Sequence, residues 1–146
     1  MRRVRKFLAL SAHDRWLLLR VAATLATIQL GLRLMRFPQL LRLLGRFSAR
    51  HRAPSRPWQE SPRLVWAIAA AARALPTHPT CLVQALAGQL LLRRRGCDAS
   101  LCIGVARDGT GRLEAHAWLE SDGAVLIGGP RSRLERYRSL PAFEAL

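Results

Sequence analysis

Lysine is nearly missing from this chain: of its 24 basic residues only Lys6 is not arginine. Acids are scarce as well, nine against those 24, for a formal net charge of +15. The scarcity is uneven. Residues 1–58 carry 13 basic residues and a single acid, Asp14, whereas residues 59–146 carry 11 and eight. Such a surface favours acidic partners or an anionic surface, although an arginine bias beside abundant Ala and Leu also fits plain genome composition. Aromatic residues make up 6% of the chain and show no basic–aromatic reader motif, which argues against a nucleic-acid function. The three cysteines, Cys81, Cys97 and Cys102, form no CxxC pair. An odd count without that spacing excludes a disulfide framework and a zinc knuckle, calls for no metal or cofactor, and fits a reducing cytoplasm. The basic start has too short an apolar run for a signal peptide.

What is present is a chain half hydrophobic over 146 residues, enough for one domain with a real core. Residues 14–35 read as a helix. Its uncharged run, Val21 to Leu32, spans about 18 Å, short of the ~30 Å of a bilayer core, so a buried or partner-facing helix is expected. Phe37-Pro38 interrupts the pattern, and a second helix is expected over 39–47. Residues 48–62, with three prolines, His51 and Trp58, read as a linker. The expected division is a basic, leucine-rich helical extension and linker over 1–58 and a core over 59–146. A third helix opens with Ser61 as cap and Pro62 at its first position.

Thr80 is a good N-cap, and apolar residues at helical spacing run from Cys81 to a stop at Gly96. Cys81 therefore falls in a first helical turn, where free N–H groups and the macrodipole favour a thiolate. His78, three residues earlier, reads as an exposed loop residue. After Gly96 the period changes to two: residues 99–105, then Leu113 to Glu120, then Ala124 to Ile127, with turns at Asp108-Gly109 and Asp122-Gly123. His116, Trp118 and Glu120 share one face of the middle strand. The tail reads as a charged turn or short helix and loop. Helices followed by a small antiparallel sheet read as α+β.

A cysteine opening a helix and a histidine on a later strand are the parts of a nucleophilic dyad. Cys97 and Cys102 read as packing residues. PTCLVQALAGQLLLRRRG, the IGV strand, EAHAWLE and VLIGG together resemble the transglutaminase-like (papain-like) cysteine peptidase superfamily, and more narrowly the lasso peptide biosynthesis B protein. The resemblance covers residues 61–130 and extends loosely over the N-terminal helices. It implies a peptidase that removes the leader of a ribosomal precursor before an ATP-using cyclase closes a macrolactam. It also implies Cys81 as nucleophile and His116 as base. Because residues 1–60 hold no strand-bearing recognition domain, it implies a stand-alone peptidase half that works with a separate leader-recognition protein. Gln84 is a conceivable oxyanion donor, with a packing role expected.

One departure stands out. The superfamily usually places an Asp about a dozen residues after the His, and Gly128 stands there. Asp122 and Glu120 are the weak alternatives for orienting His116. Two other readings remain open: acyl transfer to an amine by the same thioester chemistry, and a non-catalytic scaffold that binds a membrane surface through its basic N-terminus.

Overall fold

The computed structural model describes residues 9–49 and 62–140. The linker with His51 and Trp58, the Ser61 cap and the 58/59 division lie outside the described residues. Helix α1 (Ala12–Leu34) opens with Ser11 and Asp14. The Asp14 N–H donates to Ser11 Oγ at 3.1 Å, and the Ser11 hydroxyl donates back to Asp14 Oδ2 at 2.8 Å. Asp14 is buried, and Arg63 of α3 (Pro62–Ala74) reaches the same oxygen at 3.1 Å, tying the two helices together. Replacing Asp14 by Ala removes both the capping contact and this tie. We expect a loss of about 1–2 kcal/mol in urea-unfolding stability.

By length and composition alone α1 is apolar enough to cross a membrane. Its inner face is nevertheless core: Val21, Leu25 and Ile28 are each buried among α2 (Phe37–Ala49), α3 and α4 (Cys81–Arg93). The second helix starts two residues earlier than its expected start at Gln39. Pro38 sits in its first turn, where a missing N–H costs nothing. The first two helices therefore join the same hydrophobic cluster as α3, α4 and one face of the sheet.

The end of α4 is set by glycine. Gly96 adopts φ +82°, Cys97 N–H donates to Leu92 O and Gly96 N–H to Arg93 O, a Schellman pair. The chain then enters an antiparallel sheet of order β3-β2-β1-β4, built from β1 (Ser100–Arg107), β2 (Leu113–Ser121), β3 (Ala124–Ile127) and β4 (Arg138–Ser139). Asp122 (φ +49°) and Gly123 (φ +74°) make the tight β2–β3 turn. A four-residue helix, α5 (Arg131–Leu134), precedes β4. Sequence periodicity does not reveal β4, because two exposed residues carry no alternation.

The alternation of β2 separates two packing layers. Ala117 and Leu119 face α4 in the main core, and Trp118 packs with Ala106, Leu134 and Tyr137 on the opposite face. Gly88 brings α4 close to the sheet. A Cβ there would lie 2.5 Å from Ile127 Cδ1 and 2.9 Å from Leu119 Cδ2. The architecture is α+β, a buried helix packed on a small antiparallel sheet, as its patterning implied.

Candidate active site

Cys81 is the first residue of α4, as expected from the Thr80 cap, whose hydroxyl accepts from the Val83 N–H at 3.4 Å. Gln84 N–H is taken by the Thr80 carbonyl. That leaves the N–H groups of Cys81 and Leu82 without a hydrogen-bond partner among the described residues. Unpaired first-turn amides beside a sulfur are what an oxyanion needs. The Gln84 side chain instead donates to the Pro79 carbonyl at 2.8 Å, clamping the loop that feeds the helix. His78 is exposed in a left-handed conformation (φ +43°), as its loop position implied.

Cys81 and His116 line one cavity of about 430 Å³, together with Gln84, Val65, Leu126 and Gly128. Strand β3 ends at Ile127, opposite Leu119, so it does not extend along β2 as far as His116. No direct hydrogen bond joins the thiol to the imidazole among the described residues, although the two groups share the cavity. Catalytic hydrogen bonds are often loose in the absence of substrate.

His116 is held from two sides. Its Nε2 lies 2.7 Å from the Gly128 carbonyl oxygen. A carbonyl only accepts, so Nε2 carries the proton, and Nδ1 of the neutral ring keeps its lone pair. The ring also stacks on Tyr137 (centroids 5.3 Å apart, 29°) and on Trp118 (6.3 Å, 17°). The Gly128 backbone thus supplies the acceptor where the resemblance had led to the expectation of a carboxylate. Neither acidic alternative orients the imidazole. Glu120 Oε1 accepts from the Trp118 indole at 2.8 Å, and Asp122 is exposed in the turn.

The stack depends on Gly104, which pairs with His116 across β1 and β2. A Cβ on Gly104 would sit 2.9 Å from both Trp118 Cη2 and Tyr137 Cβ. We expect Gly104→Ala to cost about 1–3 kcal/mol in thermal or urea unfolding. Gly109→Ala is the matched control, since its Cβ would meet open space. Tyr137 was not legible in the sequence, because the tail carries no period. The signal for position 128 was the glycine pair itself, where an acid was expected.

The other two cysteines fit packing roles. Cys97 is buried. The Cys102 thiol is pushed above the usual range by burial and then by the nearby Glu120 carboxylate, which keeps it largely protonated and slow to react near neutral pH. None of the three cysteines is in a disulfide.

A family model described as Transglutaminase-like superfamily matches residues 17–142, from the first turns of α1 to just past β4. No curated protein and no solved structure matches the chain.

Proposed function

Because the chain belongs to the transglutaminase-like superfamily, whose members generally work through a cysteine, we propose that it is a cysteine peptidase that removes the leader from a lasso-type ribosomal precursor. The observation that carries this reading is the single cavity shared by Cys81, at a capped helix N-terminus, and His116, tethered through Nε2 to Gly128 O.

The chemistry follows from those positions. Cys81 Sγ adds to the scissile carbonyl carbon while Nδ1 of His116 takes the thiol proton. The N–H groups of Cys81 and Leu82 receive the oxyanion. Collapse breaks the C–N bond as His116 returns the proton to the leaving amine, which departs with the rest of the peptide. Water, deprotonated by His116, then attacks the thioester, and the proton goes back to sulfur. The Gly128 carbonyl holds the ring in one tautomer throughout, which is the main task of the third group in such sites. A neutral acceptor supports the imidazolium less than a carboxylate does.

The working assembly in this reading contains the precursor leader, a separate leader-recognition protein and the macrolactam cyclase, in a reducing cytoplasm. The test follows precursor mass in the presence of the recognition protein, with wild type against Cys81→Ala. Release of one defined leader fragment by wild type alone is the expected result. Intact precursor with both proteins, or an amine-linked product in place of a hydrolysed one, would overturn it.

A further inference from the structure

Four described arginines follow β3: Arg138 lies in β4, and of the other three, two are engaged. Arg131 donates to the Gly123 carbonyl at 2.7 Å, and Arg136 bonds Glu114 and the Tyr137 hydroxyl. Arg133 differs. Its side chain has no hydrogen bond or ion pair among the described residues, and it lines the cavity that holds Cys81 and His116. None of the described residues lining that cavity is acidic, and Leu126, Ile127, Gly128 and Gly129 line it too. The glycine pair (φ +118° and +107°) turns the chain out of β3 toward α5, which carries Arg133.

We infer that Arg133 forms a carboxylate-binding subsite, which selects peptide substrates with an acidic side chain within about two residues of the scissile bond. The inference rests on the peptidase reading above. A guanidinium presents a rigid fork of donors matched to a carboxylate, and Arg133, exposed where it lines the cavity and without a side-chain partner among the described residues, is open to one. The limit of two residues follows from the reach of an arginine side chain against about 3.4 Å per extended residue. The same positive charge disfavours a lysine ammonium at the acyl-enzyme, so it favours water over an amine as the second acceptor. Sequence alone does not single this residue out, because it is one of many arginines and only the fold brings it to the cavity of Cys81.

The experiment uses the whole chain and two small alkylating probes, so it needs neither the natural substrate nor its partner. Iodoacetate carries a carboxylate, and iodoacetamide is its neutral analogue. The rate of modification at Cys81 is measured by peptide mapping for wild type, Arg133→Gln and Arg133→Glu, with Cys102 as internal reference. The ratio of the iodoacetate rate to the iodoacetamide rate is expected to fall about fivefold in Arg133→Gln and further in Arg133→Glu, as befits a partly solvated charge pair. The iodoacetamide rate should stay unchanged, and ~1 M salt should shrink the difference. An unchanged ratio with Cys81 still reactive overturns the subsite and leaves the peptidase reading standing. An equal fall with both probes also overturns it, because Arg133 would then only activate the thiolate. A Cys81 no more reactive than Cys102 overturns the peptidase reading itself, and the subsite with it.

Discussion

Cys81→Ala is expected to lower precursor cleavage by about 10⁴-fold or more, to the level of uncatalysed hydrolysis, while the protein stays folded. The size of the loss follows from the thioester route, in which no other described group replaces the sulfur. Cys97 is buried, and the Cys102 thiol is held largely protonated. Stability should move by no more than about 1 kcal/mol. Cys81 is only half-buried, its thiol has no hydrogen bond among the described residues, and alanine is a good residue in a first helical turn. Cleavage rates and thermal melts measured on the same preparation check both halves. Cys97→Ala is the mirror case: about 1–2 kcal/mol less stable for removing a buried sulfur, with cleavage retained. If Cys81→Ala cleaves as wild type does, the nucleophile has been misassigned.

Gly128→Asp is expected to damage the protein, although it supplies the acid that the resemblance led us to expect there. Gly128 adopts φ +118°, a conformation that residues with a Cβ rarely hold. A Cβ at this position would lie 2.4 Å from Trp118 Cβ and 2.9 Å from Trp118 Cα. Backbone and a β-carbon cannot move aside as a flexible side-chain tip can, so the loop itself must shift. The Gly128 carbonyl then leaves its 2.7 Å contact with His116 Nε2. We expect a loss of about 2–4 kcal/mol in unfolding stability, together with a fall in cleavage of about 10²-fold. Gly129→Ala is the comparison, because its Cβ would meet nothing within 4 Å even though its φ is +107°. Gly129→Ala should show backbone strain with a smaller loss of cleavage. A Gly128→Asp protein more active than wild type would mean that a carboxylate can occupy the site after all and that the carbonyl tether is dispensable.

The parts of the site that rest on local chemistry were legible before any coordinates. Thr80 next to a helical period places Cys81 at a helix start, because capping and periodicity are short-range effects. The period-two runs likewise put His116 on the second of three consecutive strands, and the Asp122-Gly123 dipeptide marks the hairpin. What joins distant segments was not legible. Nothing local indicates that Tyr137 stacks on His116, that β4 pairs with β1, or that Glu120 is taken by the Trp118 indole. The expected start of the second helix erred by two residues, since a proline in a first turn looks like a break when only the pattern is read.

The sequence by itself determined where α1, α3, α4 and the first three strands lie, that the core is α+β, and which cysteine opens a helix, since each follows from spacing along the chain. Only the tertiary structure decided what completes the site. A backbone carbonyl has no side-chain signature, so the acceptor at Gly128 is invisible until β2 and the segment after β3 are placed together. Arg133 is one charge among many until the turn after β3 carries it to the cavity of Cys81. Both depend on contacts between segments far apart in sequence, which follow from packing the whole core.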